Sequence, residues 1–146
     1  MGGKPRFHTG VTSSFLNRTS AIKLSPVTAE KNTVPEGQAL AELSNAMVAL
    51  HREHFGRGPG AAKSFLNEGM AVCLLSDIYT PVERTLIEAG QVDHVRRTRA
   101  LHQESLEPES RANVERVLGR PVTAFLSAVH FDPDVAVEIF LLGEPS

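Results

Sequence analysis

From Ala39 onward, Leu40, Leu43, Met47, Leu50 and His54 recur at alternating steps of three and four, the spacing that places side chains on one face of a helix. The pattern predicts a helix ending near Phe55 with that face as a packing surface. It lasts only about two heptads, short of the three or four that define a coiled coil, so a core seam is the first reading and a dimer seam the second. The period stops at Gly56-Arg57-Gly58-Pro59-Gly60, after which Ala61 to Phe65 reads as a short second helix. Met70 to Leu75 is a continuous apolar run suited to a buried strand, with Asn67-Glu68-Gly69 as the turn before it.

Thr80-Pro81-Val82-Glu83 matches a capping box, with proline at the first helical position, so a helix is predicted to start there and stop at Gly90. A longer helical stretch follows from Gln91 to Leu118. Pro108 lies inside it, and a proline removes a backbone donor and crowds the preceding turn, so a kink or break is expected near Glu107. Gly119 is placed to cap the end. Val122 to Phe131 and Val135 to Leu142 are rich in β-branched and aromatic residues and are joined by Asp132-Pro133-Asp134, which predicts an antiparallel hairpin. In the last strand Val135, Val137, Ile139 and Leu141 share one face, and Ala136, Glu138, Phe140 and Leu142 share the other. The second face is apolar enough to need cover, either from another subunit or from a helix of the same chain.

These elements predict an α+β, two-layer domain over residues 37–146. Its mostly antiparallel sheet of three strands is covered by helices in the order α-α-β-α-α-β-β. Residues 1–36 carry Gly, Ser, Thr and Pro without a period and read as a disordered basic tail. That stretch holds five Lys or Arg against two Glu, a balance of +3. Within a total of −2 this leaves −5 for the remainder. The Ser/Thr-rich start shares its composition with organelle transit peptides, but disordered tails are the commoner case. At 146 residues one domain is the default. With no Trp, one Tyr and seven Phe, recognition by stacked aromatics is not supported, and the core must rest on Leu, Val, Ile and Ala. The single cysteine, Cys73, cannot pair within the chain and fits a reducing cytoplasm. No apolar segment approaches the roughly 20 residues needed to cross a bilayer, so direct membrane insertion is not expected.

The glycine loop is the first candidate for chemistry. Free backbone amides there, with Arg57 as charge partner, could hold an anion, whereas the plain reading is a tight turn. It is not a P-loop. That motif would need glycine where Arg57 and Ala62 stand. The candidate anion or partner contacts are thus Arg57, Gly58 and Gly60, with Arg96 and Arg99 from the basic run His94-Val95-Arg96-Arg97-Thr98-Arg99. Glu88, Glu104 and Glu107 stand at helical spacing to neutralise that run, and nucleic acid is not expected as a partner. Gly56, Pro59, Thr80, Glu83 and Gly119 are read as structural. His51 and His54 lack the His-Glu-x-x-His spacing, and Asp132, Asp134 and Glu138 could coordinate a hard cation but Asp-Pro-Asp is first of all turn chemistry, so neither a metal nor a cofactor is expected. Ser105 and Ser127 lack a nucleophile context, and no catalytic residue is assigned. A reaction would need Arg57, His54, Glu83 and Arg99 to converge.

Gly56-Arg57-Gly58-Pro59, Thr80-Pro81-Val82-Glu83-Arg84-Thr85-Leu86, Gly119-Arg120-Pro121-Val122 and Phe125-Leu126-Ser127 with the Asp132-Pro133-Asp134 hairpin, taken in order, resemble the bacterial MpsC family. The likeness runs from about Leu40 to Leu142. This family is named for a sodium-translocating, membrane-potential-generating system, and it brings no agreed catalytic residues. The resemblance implies a soluble accessory component working beside membrane proteins, and together with the apolar second sheet face it makes a non-enzymatic accessory or regulatory homodimer, docked on a membrane-protein complex, the first reading. Such a protein is expected to be cytoplasmic, reaching the inner membrane only through a partner. The alternative is a sensor domain that binds a small anionic ligand at Gly56–Gly60.

Overall fold

A computed structural model describes residues 35–145. In chain order the elements are α1 (Glu36–Phe55), β1 (Ala61–Asn67), β2 (Met70–Ser76), α2 (Pro81–Glu88), α3 (Val92–Leu118), β3 (Val122–His130) and β4 (Val135–Leu142). The strands form one antiparallel sheet in the order β1-β2-β4-β3. The α+β class is as expected, but the sheet has four strands, not three, and the order is α-β-β-α-α-β-β. The tail expected over 1–36 lies almost wholly outside the described residues.

The difference comes from Ala61–Asn67, whose first five residues, Ala61 to Phe65, are read above as a short helix. Ala62, Ser64 and Leu66 turn toward the helices while Ala61, Lys63, Phe65 and Asn67 turn away, a period of two. Glu68 and Gly69 make a two-residue hairpin turn between paired Asn67 and Met70, and Glu68 takes φ 55° to do so. A seven-residue segment is too short for a helical period to declare itself, and cross-strand pairing with β2 overrides it.

All three helices lie on one face of the sheet. That face receives Ala71, Cys73 and Leu75 from β2 and Ala136, Glu138, Phe140 and Leu142 from β4, all buried. The cover for the Ala136–Leu142 face therefore comes from the chain's own helices. Leu43, Met47 and Leu50 of α1 and Leu106 and Val114 of α3 pack with Phe140, Leu142 and Ala71 in the larger core cluster. Leu75, Ile78, Tyr79, Val95 and Ala136 form a smaller one at the other end. On α1 the buried face takes in His51, while the expected His54 is exposed.

Local signals hold where they were strongest. Glu83 N–H donates to Thr80 Oγ1 at 3.2 Å, and Thr80 N–H donates to Glu83 Oε1 at 2.9 Å, closing the capping box. Gly90 and Gly119 follow their helices at φ 83° and 70°, the left-handed region that favours glycine. Helix α3 continues through Pro108 instead of breaking near Glu107. Packing of Leu106, Ser110 and Val114 on either side holds it in register against the sheet.

Candidate functional site

The glycine loop joins α1 to β1. Arg57 turns inward across its own neighbourhood: Nη1 donates to the carbonyls of Asp77 and Tyr79 at 2.9 Å each, and Nη2 to Asp77 Oδ2 at 3.1 Å. Gly56 adopts φ 83°, and a Cβ on Gly60 would come within 2.6 Å of Asp77 Oδ2, so both positions require glycine for backbone shape or close approach. At Gly58 a Cβ would press on Val48 at 3.1 Å, and Pro59 lies between the two close approaches. The element that follows is β1, so the helix start expected to gather free amides beside Arg57 is not formed here.

Asp77 is shared. Arg84 binds it and also reaches Asp134 Oδ2 at 3.0 Å, while Asp134 Oδ1 accepts from Ile78 N–H at 2.8 Å. The Asp132-Pro133-Asp134 turn is thereby stapled to the β2–α2 connection, and Asp134 serves as an internal acceptor.

Beneath this surface lies a buried polar strip. Arg99 of α3 is 2% exposed and grips Glu83 through Nε and Nη2 at 2.7 Å each, and its Nη2 also donates to Ile78 O at 2.7 Å. Its guanidinium lies 4.1 Å from the Phe55 ring centroid and 5.2 Å from that of Tyr79. Burial pushes the Glu83 carboxyl up, but the Arg99 bonds and the Thr80 N–H outweigh it, leaving the group below the usual carboxylate range. The carbonyls of 77, 78 and 79 are thus held by two arginines, Arg57 and Arg99.

One turn further along α3, Gln103 Nε2 donates to Glu138 Oε2 at 2.9 Å, and His51 Nε2 stands 3.2 Å from that same oxygen. Glu138 is wholly buried, with the small residues Cys73 and Ser127 as its cross-strand neighbours, which leaves room for both partners. Burial lowers the His51 basicity, but the Glu138 carboxylate and the Met47 carbonyl, 2.9 Å from Nδ1, more than restore it, so the imidazole sits above its ordinary value. Burial holds the Cys73 thiol at about 12, which makes it a poor nucleophile.

The five candidate contacts are therefore dispersed. Arg57, Gly58 and Gly60 belong to the loop, Arg99 to the buried strip, and Arg96 to the surface, 3.5 Å from Asp93 and 4.8 Å over the Phe131 ring. Arg96 and Arg99 also border a cleft of about 440 Å³ between α3 and β3, where Gln103, Glu104, Glu107 and Phe125 continue the lining. The structure brings Glu83 to Arg99, whereas His54 pairs with Glu109 at 3.0 Å. The acids expected to neutralise the basic run, Glu88, Glu104 and Glu107, are replaced by Glu83 and Asp93. Among the described residues Glu53, His54 and Glu109 could together approach a cation, all of them exposed. The strip residues His51, Gln103 and Glu138 were missed as a set. The available signal was a carboxylate on the inward-facing, otherwise apolar side of β4.

A small domain with three helices on one face of a four-stranded antiparallel sheet, and a charged strip inside, is the class that fold and site define. The family model described as the Na+-translocating membrane potential-generating system (MpsC) matches residues 35–144, and the chain belongs to the MpsC family. Among curated proteins and among solved structures none matches the chain.

Proposed function

We propose that this protein is a non-enzymatic accessory or regulatory component of a Na+-translocating, membrane-potential-generating system, cytoplasmic and acting through protein contacts. The observation that carries the reading is the family match, which spans every described element. The geometry supports it in two ways. The charged side chains of the loop and the strip are engaged with one another and with backbone carbonyls, as a framework requires. No helix among the described residues is long and apolar enough to cross a membrane, which fits a role beside membrane proteins. Ligand sensing at Gly56–Gly60 has less support, because Arg57 directs its donors to Asp77 and Tyr79.

The test is a host strain lacking the protein, its membrane potential followed with a voltage-sensitive dye as external Na+ is varied, together with gentle detergent purification of a tagged full chain. The expected result is a reduced Na+-dependent potential, restored by the wild-type chain, and a membrane protein recovered in fixed ratio with the tag. An unchanged potential with the protein recovered alone would overturn the reading.

A further inference from the structure

The sheet face turned away from the helices is a continuous apolar surface. Phe65, Val72, Ile139 and Leu126 form a cross-strand row through all four strands, each paired with the next. Leu74 and Val137 adjoin it on one side, Met70 and Leu141 on the other. Phe65, Leu74, Leu126 and Leu141 rank among the exposed large hydrophobics of the described residues, at 44%, 42%, 54% and 38%. The strands β2 and β4 read as near-continuous apolar runs, the composition of strands covered on both faces, yet helices cover only one.

We infer that this face is the contact between two copies of the chain, packed sheet on sheet. Charge selects the occupant. The one formal charge among the side chains on the face is Lys63, at the β1 edge with its ammonium 5.7 Å from the Phe65 ring centroid. A surface with so little charge offers nothing to an acidic or basic partner. The balance of −5 over residues 37–146 disfavours an anionic bilayer. A second copy matches it. A two-fold axis parallel to the strands lays β1 of one copy over β3 of the other, so Lys63 meets the small Ala128 end of its row instead of a second Lys63. Four strands about 4.8 Å apart, each of some seven residues rising about 3.3 Å, give a projected face on the order of 400 Å². Side-chain relief makes the accessible area larger, toward the roughly 800 Å² per partner of an ordinary specific interface. Self-association of this kind stands independently of any accessory role.

Sedimentation of the full chain over a wide concentration range tests it. Wild type is expected to move from one 15.8 kDa chain to twice that mass as concentration rises. Leu126→Asp and, separately, Leu74→Lys are expected to stay monomeric with unchanged cooperative melting, because both side chains meet water in a single copy. Val82→Asp, on α2 and 70% exposed, is expected to dimerise like wild type. Should a charged variant lose cooperative melting, Leu126→Ser is read in its place and is expected to weaken association at least tenfold. A wild-type chain that stays monomeric throughout would overturn the inference, and so would association that survives these face variants. Either failure leaves the Na+-dependence experiment above to decide the accessory reading separately.

Discussion

The two faces of this one sheet are built from alternate residues of the same strands and both are largely apolar, yet it is the covered face that carries a carboxylate. The covered face holds Glu138 at full burial, met by His51 and Gln103, with the Arg99–Glu83 pair nearby. The open face holds Val72, Ile139, Leu126 and Leu74 with Lys63 at its edge. A buried charge is costly unless paired and bonded, and an exposed apolar sheet face is a liability unless it is covered. The buried charge is paired within the chain, and the open face is the surface proposed above for a second copy.

The largest expected effect lies inside. Arg99→Met keeps much of the stem's volume but leaves the Glu83 carboxylate with only the Thr80 N–H and the Ile78 carbonyl without its side-chain donor, a broken buried pair that costs about 3–5 kcal/mol. Urea unfolding of the variant checks it; a loss under about 1 kcal/mol would mean the strip is not holding α2 to α3.

The His51–Glu138 contact sharpens the contrast through pH. The folded imidazole sits above its ordinary 6.5, so its stabilising contribution is complete below that value and is lost as pH rises through the folded value. The stability difference between wild type and His51→Gln is expected to be larger at pH 5.5 than at pH 8.5, read from paired denaturant curves. A pH-independent difference would show that folding leaves the proton affinity of the imidazole unchanged. Glu83 acts in a separate window: its carboxyl is held below 4.5, so its contribution is present above that value and fades as pH falls further.

Smaller again is Thr80→Ala. It removes the hydroxyl that accepts from Glu83 N–H, at a cost of about 1 kcal/mol seen as a lowered melting temperature. The smallest effect is expected outside: Leu74→Gln should change the stability of dilute monomer by no more than about 0.5 kcal/mol. A loss of several times that would mean the open face is covered within the single chain.

How far the sequence was legible follows from the range of each interaction. The Thr80–Glu83 box, Gly119 and the Asp132-Pro133-Asp134 hairpin were readable because their signals and their partners lie within a few residues. Strand β1 was not, because Ala61–Asn67 is short and its identity comes from pairing with β2. The continuity of α3 through Pro108 depends on contacts with distant elements that outweigh one lost backbone donor. Arg99 and Glu83 each stood out by type, but their pairing waited on α2 folding back over α3. For Glu138 the alternation along β4 already placed a carboxylate among inward apolar residues; its partners on α1 and α3 could come only from the tertiary structure.

The proposal that the accessory role depends on two copies pairing through the open sheet face is tested most directly in the host. A strain lacking the chain would be complemented with wild type or with Leu126→Asp at equal abundance, and its Na+-dependent membrane potential measured. The account predicts that wild type restores the potential and the folded Leu126→Asp variant does not. Full restoration by Leu126→Asp would contradict it.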